Sequence, residues 1–308
     1  MDNSVLKDYG IEPDDKVAIE IGETDISFLP PGMQEAFEGR PAREISITVN
    51  DEAIQWQSHS SAIEVFIPYE LTNMDNKDKL SVWYDDGTTL VPVPSGRYDG
   101  SRGGMVFETR HLSKFAVGLY DKTFTDMTNF IWAKDAVEIL ASKGIIKGTS
   151  NTTFSPELDI TRADFTILIV RMLGLTGDSE DNFVDVLPDK YYYSEIARAK
   201  EFGLVKGVGN NRFNPESKIT RQEAAVMIER ALTSLGKLTG SGNERILNPF
   251  NDKDDISDYA KFSMAILVEN KLLLGTNINN LNPRHNILRA ETAVLMHRVY
   301  NLLYTTGE

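Results

Sequence analysis

The sequence predicts a multidomain chain: an N-terminal all-β sandwich, then an all-α domain of pseudo-threefold form. In that second domain three helix-loop-helix repeats surround a central three-helix bundle. Three observations predict this. Residues 1–120 carry short alternating apolar runs separated by turn residues. From residue 124 onward amphipathic segments take over, and one pattern occurs three times. The charge divides at the same place, with 10 basic and 21 acidic residues in 1–120 against 22 and 25 in 121–308. The expected domains are 1–121 and 122–308, with repeats at about 124–177, 183–237 and 250–304.

The bulk properties exclude several classes. A chain of 308 residues fits about two domains. No apolar run approaches the roughly 18 residues of a membrane span, so membrane insertion is not expected. A net charge of −14 argues against nucleic acid as a partner. The absence of cysteine excludes disulfides, thiolate metal sites and cysteine catalysis. His59, His111, His285 and His297 lack metal-ligand spacing, so neither a metal nor a cofactor is expected. The opening Met1-Asp2-Asn3-Ser4 lacks the basic-then-apolar pattern of a secretory signal.

In the first domain, strands are expected at 17–21, 45–49, 63–67, 80–84, 105–109 and 115–119. Pro30-Pro31-Gly32, Asp85-Asp86-Gly87 and Ser95-Gly96 read as turns. Pro92 and Pro94 around Val93 imply an edge strand or a bulge, because proline cannot donate to a ladder.

In the second domain, each repeat opens on Phe124-Thr125-Asp126, Phe183-Val184-Asp185 or Phe250-Asn251-Asp252. A first helix follows near 132–143, 194–202 and 257–270, then an apolar turn ending in Gly148, Gly207 or Gly275. Pro156, Pro215 and Pro283 precede a second helix. Pro156 to Pro215 and Arg162 to Arg221 are both 59 residues; Pro215 to Pro283 and Arg221 to Arg289 are both 68. The longer spacing marks an insertion at 237–248, expected as a surface loop. Thr161 with Asp164, and Thr220 with Glu223, have the spacing of a capping box; Leu288 has no capping oxygen. Phe165, Leu168, Ile169 and Met172 recur at helical spacing, as do Ala224, Met227, Ile228 and Ala231, and Thr292, Leu295, Met296 and Val299. One repeat alone could not bury such a stripe, so the second helices are expected to pack together.

The Phe-x-Asp openings, the glycine-bounded turns, the Phe-x-Pro segments and the Thr-Arg-x-acid sequences resemble the S-layer homology family, over residues 124–302. The resemblance implies a three-helix bundle with grooves between neighbouring repeats. It implies non-covalent binding of secondary cell-wall polysaccharide carrying pyruvate ketals, at the surface of a Gram-positive bacterium. Carried over from the family, Arg162, Arg221 and Arg289 are the expected carboxylate holders. A guanidinium grips a carboxylate through paired N–H bonds, and a helix start favours an anion. Asp126, Asp185 and Asp252 are expected to complete the grooves, Gly148, Gly207 and Gly275 to admit the sugar, and Trp132 to stack on it. Neighbouring S-layer subunits are a further expected partner.

Two rival readings stand beside this anchor. An enzyme would use His111-Leu112-Ser113, which resembles the cleavage segment of self-cleaving extracellular sandwiches, with His111 as base and Ser113 as nucleophile. Otherwise it would be a glycosidase fragment. A lattice-forming protein would use the sandwich for the array and calcium for order, although Asp252-Lys253-Asp254-Asp255 lacks calcium-loop spacing. The sequence favours a non-enzymatic anchor.

Overall fold

The structure, a computed structural model, describes residues 14–58, 62–87, 89–177 and 179–305. His59 and the start of the chain at 1–4 lie outside the described residues. The chain forms two compact units. Met1–Thr123 with Glu138–Ile145 make the first; Phe124–Val137 with Ile146–Glu308 make the second.

The described residues of the first unit form β1 (Val17–Thr24), β2 (Ala42–Val49), β3 (Glu52–Ile54), β4 (Ile63–Pro68) and β5 (Leu80–Asp85). These are followed by β6 (Leu90–Val93), β7 (Arg97–Asp99), β8 (Gly104–Thr109) and β9 (Lys114–Leu119). One antiparallel sheet runs β1-β2-β9-β5-β6, with β3 paired to β2; a second runs β4-β8-β7. Pro92 lies on β6 at the edge of the larger sheet, opposite Trp83, where its missing donor breaks no interior ladder.

Alternation along the strands builds the core. Val82, Phe115 and Val117 of the larger sheet meet Ile67, Met105 and Phe107 of the smaller one. On the other face, Trp83 and Ala116 pack with Leu29 and with Phe37 from the short helical turn Pro31–Phe37. Asp75 anchors the long connection before β5. Its carboxylate accepts from Arg40 Nη2 (2.8 Å), Tyr69 Oη (2.6 Å), and both the amide and hydroxyl of Thr72 (2.8 Å each). Within Glu138–Ile145, the buried Lys143 ammonium donates to the carbonyls of Leu80 and Gly96.

The helices are α1 (Ile131–Ser142), α2 (Arg162–Met172), α3 (Tyr193–Glu201), α4 (Arg221–Ser234), α5 (Asp258–Glu269) and α6 (Arg289–Tyr304). The first half of α1 lies in the second unit and its second half in the first. The second helices α2, α4 and α6 begin at Arg162, Arg221 and Arg289, as their start signals predict. The stripe residues of all three are buried. Helix α2 is buried well beyond one stripe, with Ile167 and Val170 also enclosed, because it packs against α3, α4 and α6 at once.

The caps differ from one another. Thr220 and Glu223 form the complete box. Thr161 accepts from the Asp164 amide (3.1 Å), but the Asp164 carboxylate does not return to the Thr161 amide; a full box at α2 was expected and only half forms. Aspartate is one methylene too short for that reach. At α6 the Leu288 amide donates to Glu291 Oε2 (3.0 Å), the reciprocal half.

Three isoleucines preceding the second helices close a ring through the backbone. The Ile160 amide donates to the Ile287 carbonyl (3.1 Å), Ile287 to Ile219 (3.1 Å), and Ile219 back to Ile160 (3.2 Å). Every repeat is thus hydrogen-bonded to both others. The insertion at 237–248 is not a plain loop. It contains the helical turn Glu244–Leu247, buries Leu247, and is tied to the end of α5 by Thr239–Asn270 and Gly242–Glu269 hydrogen bonds.

Candidate functional site

The site is built from four parts of each repeat: the opening aspartate, the turn glycine, the helix-start arginine and the acid three positions after the cap. The aspartates come first in the chain. Asp126 accepts from the amides of Phe154 (2.9 Å) and Ser155 (2.7 Å). Asp185 does the same for Phe213 and Asn214, and Asp252 for Leu281 and Asn282. Ser155, Asn214 and Asn282 all have positive φ, and the carboxylates fasten these strained turns. Burial opposes the charge of Asp185, but the two amides outweigh it and hold its carboxyl below the ordinary range. The aspartates expected to complete the grooves thus accept from the chain's own amides.

The turn glycines pack against the opening phenylalanines. A β-carbon on Gly148 would stand 2.5 Å from the Phe124 ring, and one on Gly275 2.5 Å from the Phe250 ring; Gly207 faces Phe183 and the Arg212 carbonyl. None of the three has positive φ, whereas Gly144 and Gly203 do, as expected for residues ending a helix. In the third repeat Lys271 occupies that left-handed position (φ 57°).

The arginines repeat one contact around the ring. Arg162 Nε donates to the Phe213 carbonyl (3.0 Å), Arg221 Nε to Leu281 (2.8 Å) and Arg289 Nε to Phe154 (2.9 Å). Each arginine thereby reaches the next repeat, and the third reaches the first. The guanidinium tips then diverge. Arg162 Nη1 pairs with Glu223 Oε1 (3.4 Å) and Arg221 Nη1 with Glu291 Oε1 (3.3 Å). Arg289 Nη2 instead donates to the Lys147 carbonyl (3.0 Å).

Arg289 borders a cavity of about 440 Å³. Its polar lining includes Lys147, Arg171, Arg289, Asp164 and Tyr191; its apolar walls include Phe154, Ile160 and Leu168. Gly148 also lines it. The Arg289 guanidinium lies over the Phe154 ring, 4.6 Å from the centroid. Tyr191 Oη donates to Asp164 Oδ1 (2.8 Å). The neighbouring Arg171, and then burial, hold the Lys147 ammonium below its ordinary value. Burial also lowers Arg289 against the attraction of Asp164, and Arg171 against that of Glu195 and then Asp164. The lining thus sets Lys147, Arg171 and Arg289 against the Asp164 carboxylate and suits an anion with an apolar flank.

Of the expected residues, the structure brings Arg289 and Gly148 to this cavity. Arg162 and Arg221 are engaged by glutamates, and Trp132 is 55% exposed on α1 rather than enclosed. Lys147, Arg171 and Tyr191 were not expected. The signal for Arg171 was present: an arginine stands nine residues after each helix-start arginine, at Arg171, Arg230 and Arg298. Trp132 shares a register with Tyr191 and Tyr259, each twelve residues before Gly144, Gly203 or Lys271.

The cleavage segment has a different geometry from that of a base and nucleophile. The His111 ring packs between Tyr84 (4.3 Å) and Phe115 (5.7 Å), and burial lowers its pKa. The Ser113 carbonyl accepts from Ile45, and the Leu112 amide donates to Trp56. No hydrogen bond joins Ser113 to His111 among the described residues.

Interlocked copies with a cleft assembled from several of them define a module of three joined repeats. Residues 123–166, 182–225 and 249–293 each match the S-layer homology domain, and the chain belongs to that family through these three copies. Relatives include an amylopullulanase of Thermoanaerobacterium thermosulfurigenes, 32% identical over 79% of this chain and 13% of its own length. Exoglucanase XynX of Acetivibrio thermocellus is 31% identical over 82% of this chain and 22% of its own. The surface-layer 125 kDa protein of Lysinibacillus sphaericus is 35% identical over 54% and 14%. The chain thus spans under a quarter of the length of these relatives.

Proposed function

We propose that this chain anchors a protein to the surface of a Gram-positive bacterium by non-covalent binding of an acidic, pyruvylated wall polysaccharide. Its repeats form a pseudo-threefold helical domain that holds the glycan between neighbouring repeats, and the β unit is a sandwich spacer. The observation that carries the reading is the cavity shared by Arg289, Arg171 and Lys147, with Phe154, Ile160 and Leu168 as its walls. A ketal carboxylate satisfies the cations while the sugar's C–H faces cover the apolar walls. Relatives whose names denote both glycan-degrading enzymes and surface-layer proteins support a shared attachment role rather than a shared reaction. The chain's own part is binding, not catalysis.

The test is retention of the chain on purified wall polysaccharide before and after mild acid removes the ketals. Losing a charge-assisted bidentate contact is expected to weaken binding at least about tenfold. Equal retention on both preparations would sink the reading.

A further inference from the structure

The three grooves are built from equivalent positions but do not carry equal charge. The difference lies in the acid three residues after each second-helix cap: Asp164, Glu223 and Glu291. Each glutamate does two things. Glu223 Oε2 accepts from the Thr220 amide (2.9 Å), and its Oε1 meets Arg162. Glu291 Oε2 accepts from Leu288, and its Oε1 meets Arg221. Asp164 does neither. Its carboxylate turns to Tyr191 and attracts Arg289 without forming an ion pair with it among the described residues, as Glu195 and Asp164 attract Arg171.

We propose that this single missing methylene makes the grooves inequivalent: the Arg289 groove accepts the sugar-borne carboxylate, and glutamates block the other two. The proposal rests on the reading of the chain as a binder of acidic polysaccharide. An incoming carboxylate at Arg162 or Arg221 meets a guanidinium already facing Glu223 or Glu291, and so meets like charge at contact range. Each of the three arginines spends Nε and one Nη, but at Arg289 the second partner is the neutral Lys147 carbonyl rather than a carboxylate. Arg171 and Lys147 add positive charge in the same cavity. The third groove is poorer still, because Leu274 holds the position of Lys147 and Lys206.

The experiment titrates the full chain calorimetrically with short pyruvylated oligosaccharides released from wall polysaccharide, and with the same fragments after ketal removal. The wild type is expected to bind about one fragment per chain, with ketal dependence. Asp164→Glu restores the residue of the other two repeats and is expected to weaken binding at least about tenfold, as is Arg289→Ala. Glu223→Asp, the converse change, removes the carboxylate that faces Arg162 and is expected to raise the stoichiometry to about two fragments per chain. Helical circular dichroism checks that each variant folds. Should Arg289→Ala fail to fold because its carbonyl contacts are lost, Asp164→Glu alone decides. Binding of about three fragments by the wild type, wild-type affinity in Asp164→Glu, or an unchanged stoichiometry in Glu223→Asp overturns the inequivalence while leaving the polysaccharide reading intact. No binding by the wild type, or binding indifferent to the ketal, overturns both.

Discussion

Asp75 has no exposed side-chain surface, and five hydrogen bonds converge on its carboxylate. Burial alone would raise its pKa, but the bonds from Tyr69, Thr72 and Arg40 win and bring it down to about 2. A carboxyl depressed in the folded state binds a proton more readily when unfolded. Its stabilisation is therefore complete above the ordinary carboxylate value of 3.8 and disappears as pH falls from about 4 towards 2. Acid denaturation of Asp75→Asn followed by tryptophan fluorescence should show that part of the slope missing. At neutral pH the same variant should be about 3 kcal/mol less stable, because Arg40 keeps a mostly buried charge without its anion. Nothing in the sequence around Asp75 announced this, since its partner Arg40 stands 35 residues away. Local spacing predicts caps and stripes; it cannot predict which surface-type acid becomes enclosed. Arg289 teaches the converse. Its repeat position was legible, but its freedom from a carboxylate depends on the length of Asp164 across the ring.

Among the elements, those with a local physical cause were the legible ones. The expected strands at 17–21, 45–49, 63–67, 80–84, 105–109 and 115–119 correspond to β1, β2, β4, β5, β8 and β9. The short β3 and β7 carry too few residues to show a period, and β6 was signalled only by its prolines. The three first helices lie within one residue of their expected bounds, and the three second helices begin at the arginines their start signals mark. Repetition made that possible, because each copy votes on the others. It also exposes the weak copy. Lys271 takes the left-handed backbone that Gly144 and Gly203 adopt without a side-chain penalty. Lys271→Gly is expected to stabilise the protein by up to about 1 kcal/mol. Urea unfolding monitored at 222 nm measures it, and a destabilised variant would contradict the strain argument.

On the scale of the whole molecule, the acidity of the chain and the cationic cavity are compatible because they occupy different regions. Eleven of the fourteen net negative charges belong to residues 1–120. The ring through Ile160, Ile219 and Ile287 makes the three repeats one cooperative body. Ending the chain after residue 248 removes Ile287 and Arg289, and with them the partners of the Ile160 amide and the Phe154 carbonyl. That truncated chain is expected to lose the cooperative helical melt, and calorimetry would show whether residues 124–248 still unfold as a unit. The closure has a mechanical side as well. The cavity takes Lys147 and Arg171 from the first repeat, Tyr191 from the second and Arg289 from the third. Tension on a polymer seated there enters all three repeats at once. It must shear the joined body apart and cannot peel one helix pair from the end, as it could in a linear stack of repeats.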